Sequence, residues 1–392
     1  MLAIVLSGGG AKGAYEAGVC KALRKLKIKY NIVTGTSIGA INGMMMAQNE
    51  LYKCLRLWKN ISFKQIYEDF ENCDNNLDIF KKYTQKFLEG GIDTKKIEKL
   101  INSNYKPDKL YNSKISFGVV SYNLSDLNVV YSTTKNTKPD DLKKQILASA
   151  TCFPAFKPTK IGNDTYIDGG FSDNLPINLA IDLGADEIIA VDLKTIGIKK
   201  RVKNKSLPIL YIEPTSKLDS FFMFEKNAAR KMIKLGYNDT LKKFKKYEGN
   251  IYTFKKGTTN IIKKYEKNIV KIINKYDKKM MKKSNLKMLD IIEYNLQTLE
   301  IPVEKLYSVS SLNKEIFKIL DNVENINLSE LKLEEIKKIF DKKSIIKYFY
   351  TSLKKHGKIN EILLDIFDKE FIFSVYLTVW RSWDYENYTN RR

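Results

Sequence analysis

Residues 1 to about 213 predict an α/β fold with a mainly parallel central sheet, and three observations carry that prediction. Short apolar runs at 2–6, 30–33, 115–121, 128–131, 187–191 and 208–212 have the length and composition of strands. Helical patterns lie between them, after Gly13, Ile38, Pro139 and Pro176, with several more between Leu51 and Leu110. The first two runs each lead into a glycine-rich turn that opens a helix. Strands alternating with helices pack as a sheet covered by helices on both faces.

Taken in order, residues 2–6 read as the first strand. The run is too short for a signal peptide, lacks a basic start and passes straight into glycines. Those glycines, Gly8-Gly9-Gly10-Ala11-Lys12-Gly13, place backbone N–H groups at the entry of a helix, where an anion is favoured. The second run leads into Gly35-Thr36-Ser37-Ile38-Gly39, a G-x-S-x-G pentapeptide. That pattern sets a serine on a strained strand-to-helix turn with its hydroxyl pointing out of the fold. Gly35 and Gly39 remove side chains that would collide around the turn. Met44-Met45-Met46 follow on the helix. Their preferred reading is core behind the sheet, with a pocket wall for apolar chains as the alternative.

Asn123 to Asn128 reads as a hairpin turn, so one strand pair is antiparallel. A second turn, 161–165, precedes Tyr166-Ile167-Asp168 and the pair Gly169-Gly170. After Pro214 the texture becomes Lys/Glu/Ile/Leu at helical spacing, glycine grows rare, and one further proline, Pro302, appears. This divides the chain into residues 1–250 and an α-helical C-terminal region, 251–392.

The net charge of +23 is uneven. Residues 1–200 carry 28 Lys and Arg against 21 Asp and Glu, and the rest 40 against 24. Such a surface attracts anions, with lipid headgroups the expected partner and no nucleic acid. Lysine spread over solvated helix positions explains the excess more simply. Cys20, Cys54, Cys73 and Cys152 form no C-x-x-C and read as free thiols of a reducing, cytoplasmic compartment. No apolar stretch approaches the roughly 20 residues of a membrane-spanning helix. No histidine cluster or calcium-loop spacing points to a metal.

A nucleophile and an anion cradle on adjacent strands are two parts of an acyl-transfer site. The rival reading starts from Gly8, Gly10 and Gly13, which also fit the G-x-G-x-x-G of a dinucleotide fold. That reading needs an acidic residue about 20 positions on for the ribose, and residues 29–35 have none. A Walker A loop fails for want of a closing Gly-Lys-Ser/Thr. The third part is a base. The one histidine, His356, sits in Leu353-Lys354-Lys355-His356-Gly357, the pattern of a helix C-terminus. A carboxylate is the better candidate, and Asp168 is placed for it, though Asp-Gly also favours a plain turn.

Gly8–Gly13, Gly35–Gly39 and Asp168-Gly169-Gly170, in this order, resemble the patatin-like phospholipase family. The linking segments Ala148-Ser149-Ala150-Thr151-Cys152-Phe153-Pro154 and Asn174-Leu175-Pro176 agree. The resemblance covers residues 1 to about 213, and more weakly Leu235-Gly236-Tyr237-Asn238-Asp239. It implies a three-layer α/β/α domain that hydrolyses lipid acyl esters with a serine–aspartate dyad, no histidine and no cofactor. In its terms Ser37 is the nucleophile, Asp168 the base, and Gly8, Gly9 and Gly10 supply the oxyanion N–H groups. Lys12, Gly13, Gly35, Gly39, Gly169 and Gly170 support the motifs. Lys12 stands where the family often has arginine, keeping the charge but not a bidentate fork. The resemblance does not extend beyond about 260 and lends that region no function. A basic helical scaffold with a vestigial enzyme domain is the competing class, and the presence of both Ser37 and Asp168 argues against it.

An unperturbed aspartate is a weak base, so a dyad without histidine requires Asp168 to be desolvated. Two apolar stretches, 221–224 (Phe-Phe-Met-Phe) and Phe371 to Trp383, could touch a membrane or serve packing.

Overall fold

The computed structural model describes residues 1–67, 81–82, 84–86, 88–277, 287–325, 341–355, 359 and 361–389, without the side chains of 361 and 383–389. Cys73 and His356 lie outside the described residues, as does the side chain of Trp383. Contacts divide the chain into two units, Met1–Lys243 and Phe244–Arg392.

The first unit is built on one sheet of eight strands: β1 (Leu2–Leu6), β2 (Ile32–Thr36), β3 (Ser116–Asn123), β4 (Asn128–Thr133), β5 (Thr159–Ile161), β6 (Asp164–Asp168), β7 (Glu187–Val191) and β8 (Ile209–Ile212). Their order is β5-β6-β3-β2-β1-β7-β8, with β4 on the second edge of β3. Strands β3, β2, β1, β7 and β8 are mutually parallel, and the β3–β4 hairpin is antiparallel. The expected fold class is therefore the observed one. Ala3 to Leu6 are wholly buried, because helices cover both faces. Ala3 and Val5 pack with Leu179 and Ala180 of the helix Ile177–Asp182. Against the sheet's other face lies α2 (Ile38–Ala47), with α1 (Gly13–Lys25) packed on it and α3 (Leu51–Lys59) on both helices.

Two strands differ from the periodic reading in a way that matters. Strand β2 runs on to Thr36, so Gly35 and Thr36 belong to the sheet and Ser37 is the first residue past it. The short β5 has no sequence signal, because Thr159 and Ile161 are half-buried around an exposed Lys160 and leave no apolar run to read.

The helix Lys226–Lys243 closes the unit against α1. A Cβ on Gly236 would lie 2.0 Å from the Tyr15 carbonyl oxygen, and one on Gly18 2.1 Å from that of Ile233. The backbones therefore meet directly, and Tyr15 donates its hydroxyl to Asp239 at 2.9 Å. That contact explains the family-like pattern around Gly236 and Asp239.

The second unit is mainly helical, with a small three-stranded sheet, Tyr247–Glu248, Thr253–Lys255 and Leu306–Tyr307, that the helical periodicity did not announce. Its core is centred on the helix Asp368–Thr389, whose Phe371, Phe373, Val375 and Tyr376 are wholly buried. Of the two readings of this stretch, packing is the one observed: these side chains are the unit's own core.

Candidate active site

Ser37 stands between β2 and α2 at φ 58°, ψ −127°, a left-handed conformation that L-residues adopt only under constraint. The constraint is steric. A Cβ on Gly35 would come within 2.3 Å of the Gly39 carbonyl oxygen, and one on Gly39 within 2.6 Å of that of Leu6. Only glycine at both positions lets the chain turn this tightly against β1. The Ser37 N–H is donated to Ser149 Oγ at 2.8 Å, at the end of the helix Pro139–Ser149. Behind the elbow, Asn42 of α2 donates to the Gly13 carbonyl at 3.0 Å and to Glu16 at 2.9 Å, and accepts from Trp58 Nε1 at 2.9 Å. One buried amide thus fixes α2 against α1 and α3.

Asp168 ends β6 and is almost fully buried. Its N–H is donated to the Thr151 carbonyl at 3.1 Å, and its Oδ1 accepts the Gly170 N–H at 2.8 Å. Gly169 passes so close to β3 that a Cβ would sit 2.3 Å from the Val120 carbonyl oxygen. Burial raises the Asp168 carboxyl to about 6, and hydrogen bonds from the Ser37 hydroxyl and the Gly170 N–H hold it from rising further. A carboxylate in this state can take a proton from the adjacent hydroxyl near neutral pH.

Of the first glycine run, Gly8 lies nearest the serine: a Cβ there would be 3.1 Å from Ser37 Cβ. Its N–H, however, is donated to the Asn174 carbonyl at 3.1 Å, so Gly8 has no donor to spare. This corrects the expectation that all three glycines offer free N–H groups. Ala11 N–H goes to the Phe221 carbonyl at 2.8 Å. The N–H groups of Gly9 and Gly10 have no partner among the described residues. Gly10 has φ +54°, and Gly13 packs where a Cβ would lie 2.4 Å from Ile38. Lys12 lines the cleft, and its side chain makes no hydrogen bond or ion pair with a described residue.

Two cavities meet at Ser37. An open cleft of about 750 Å³ holds Ser37, Asp168, Gly8, Gly9 and Lys12. A narrow apolar cavity of about 70 Å³ runs inward beneath the elbow past Met45, Trp58, Ile61, Leu100 and Phe156. Met45 is thus a pocket wall, while Met44 and Met46 are core, dividing the two readings of the methionine run. The Phe-Phe-Met-Phe segment belongs to the same walls. Phe221 borders both cavities, and Phe224 is buried against Trp58 with ring centroids 6.3 Å apart.

Sequence reasoning gave no role to Ser149, Asn174 or Thr195. Besides receiving the Gly8 N–H, Asn174 donates Nδ2 to Thr195 Oγ1 at 3.2 Å, and Thr195 Oγ1 donates to the Gly8 carbonyl at 2.5 Å. These links tie the first glycine loop to the strand-end loops after β6 and β7. Ser149 and Asn174 stand in the segments that carry the family resemblance; Thr195 had no sequence signal.

A hydroxyl on a tight elbow thus stands beside a buried carboxylate and above an apolar cavity. Residues 4–181 match the model of the patatin-like phospholipase family. Patatin-like phospholipase domain-containing protein 7 of Rattus norvegicus is 27% identical over 195 residues, 49% of this chain and 13% of the relative. Lysophospholipase NTE1 of Debaryomyces hansenii is 28% identical over 200 residues, 49% of this chain and 12% of the relative. The chain therefore spans about an eighth of the length of these relatives. VipD from Legionella pneumophila aligns over 96% of this chain and 89% of its own, with a TM-score of 0.41 and 15% identity. No helix among the described residues is long and apolar enough to cross a membrane.

Proposed function

We propose that this chain is a lipid acyl hydrolase of phospholipase A type, working through a Ser37–Asp168 dyad. One observation carries the reading: the Ser37 hydroxyl, poised against a buried carboxylate, opens onto a narrow apolar cavity on one side and a wide open cleft on the other. An acyl chain fits the first and the alcohol portion of the lipid the second.

In this mechanism Ser37 Oγ attacks the ester carbonyl carbon while its proton passes to Asp168. The negative charge that develops on the carbonyl oxygen meets the unpartnered N–H groups of Gly9 and Gly10, not that of Gly8. The tetrahedral intermediate collapses, the C–O bond to the leaving alcohol breaks, and Asp168 returns the proton to that alcohol. Water then attacks the acyl-serine, giving its proton to Asp168, and the acid leaves as Ser37 recovers its proton. No cofactor or metal enters. The cycle needs no histidine, so His356→Ala retains activity.

The partner is a lipid, approached from an anionic membrane surface to which the basic chain adheres peripherally. A cytoplasmic setting is in keeping with the free thiols of Cys20, Cys54 and Cys152. Labelling by a fluorophosphonate probe tests the reading. Purified protein takes up the probe and Ser37→Ala does not; equal labelling of both would remove Ser37 from the mechanism.

A further inference from the structure

Five of the twelve exposed large apolar residues among the described residues border a single opening, the cleft that holds Ser37 and Asp168. They are Phe153, Phe171, Ile196, Ile198 and Phe222, on four different loops. Ile196 is fully exposed, at 103%, and Ile198 58% exposed, on the segment joining β7 to β8. That segment is not loose. Ile198 N–H is donated to the Gly170 carbonyl at 3.0 Å, the Asn174 N–H to the Ile198 carbonyl at 2.6 Å, and Leu193 N–H to Ser7 Oγ at 3.0 Å. Its backbone is clamped to both glycine loops of the site while its isoleucines face water. A folded chain gains nothing from holding two isoleucines in water, so the arrangement fits a surface that is covered in use.

Charge identifies what covers it. Residues 193–207 contain Lys194, Lys199, Lys200, Arg201, Lys203 and Lys205 and no acidic residue. Lys194, Lys199 and Lys203 are paired with Glu213, Asp192 and Asp182, while the side chains of Arg201 and Lys205 are exposed and form no ion pair with a described residue. Apolar tips beside a band of cations match the interface of an anionic bilayer, where side chains enter the acyl boundary and lysines stay at headgroup level.

We propose that the β7–β8 segment, led by Ile196 and Ile198 and backed by its cations, is the docking surface that seats the cleft mouth on an anionic lipid bilayer. The proposal rests on the lipid-hydrolase reading for its purpose, but its test does not. Vesicle sedimentation is carried out in the Ser37→Ala background, with phosphatidylcholine vesicles containing or lacking phosphatidylglycerol. Ile196→Glu with Ile198→Glu lowers binding to the anionic vesicles by about tenfold or more. Arg201→Ser with Lys205→Ser narrows the difference between anionic and neutral vesicles and leaves neutral binding unchanged. Both pairs are at the surface, so melting temperatures stay at the parent value. In the active protein the isoleucine pair lowers the ratio of vesicle-lipid to soluble-ester turnover. Undiminished vesicle binding by the isoleucine pair would overturn the proposal. So would loss of a dimer in that variant with vesicle binding intact, since the patch would then serve a second copy of the chain. Failure of Ser37→Ala to abolish hydrolysis would instead overturn the dyad and leave the docking result standing.

Discussion

Asp168 meets Ser37 because two strands running in opposite directions share one edge of β3. Thr36, the last residue of β2, pairs with Val120, and Asp168, the last residue of β6, pairs with the next residue, Ser121. Strand β4 occupies the other edge, pairing with both Val120 and Ser121. Strand β2 is parallel to β3 and β6 antiparallel, so their C-terminal ends converge at one point along it. The hydroxyl and the carboxylate, 131 positions apart in sequence by their numbers, are brought together by strand direction alone.

The raised Asp168 carboxyl sets activity and stability against each other. Turnover of a soluble ester should rise with pH through about 6 as Asp168 ionises. Asp168→Asn should abolish turnover yet be more stable than the parent at pH 8. Between the unfolded value, about 3.9, and the folded value the unfolded chain has lost its proton and the native chain has not. Stability is therefore lost as pH rises through that window. Above it the native protein bears the whole penalty, about 3 kcal/mol for a shift of this size. The variant's advantage in melting temperature should vanish near pH 4. Asp173 is also raised to about 6 by burial, so it is the difference between the two proteins that isolates Asp168. A variant less stable than the parent at pH 8 would show that ionised Asp168 carries no such penalty.

Replacing Ser37 separates strain from chemistry. Ser37→Ala and Ser37→Gly should both lose turnover, on the order of 10⁶-fold. Glycine adopts φ 58° without penalty, whereas alanine retains the strain, which typically costs about 1–3 kcal/mol. Calorimetry should find Ser37→Gly the more stable of the two. The reverse order would mean that the elbow is unstrained.

Ser149 acts through the backbone of Ser37. Ser149→Ala leaves the buried Ser37 N–H without an acceptor, a loss of about 1–3 kcal/mol. Turnover should fall while KM for a soluble ester stays near the parent value, since the group displaced is the nucleophile. A normal turnover in a destabilised variant would confine Ser149 to folding.

Leu100 lines the apolar cavity and is only partly buried, so the site can admit a larger ring. Leu100→Phe should shift preference along a series of p-nitrophenyl esters toward shorter chains, leaving acetate hydrolysis intact. An unchanged preference would place the acyl chain elsewhere.

Much of this was legible in the chain because the constraints are local. Gly35 and Gly39 announce a turn that no side chain could enter, whatever surrounds it. The alternation of apolar runs with helical spacing announces the sheet and its covering helices. The three motifs in order announce the family, but Gly8 looked equivalent to Gly9 and Gly10, and only the Asn174 carbonyl distinguishes it. Phe371 and Tyr376 read as equally suited to a membrane or a core, since sequence records that a side chain is apolar and not what covers it; the second unit buries them. Ile196 and Ile198 gave the opposite lesson. They form no run long enough to notice, and they stand out only because the tertiary fold leaves them in water at the mouth of the cleft. The sequence by itself determined the turns, the strand and helix succession and the residue types available for chemistry, because these depend on neighbours along the chain. The tertiary structure decided which N–H groups remain unpaired, how far Asp168 is desolvated and which apolar side chains stay exposed, because each depends on groups that only folding brings near.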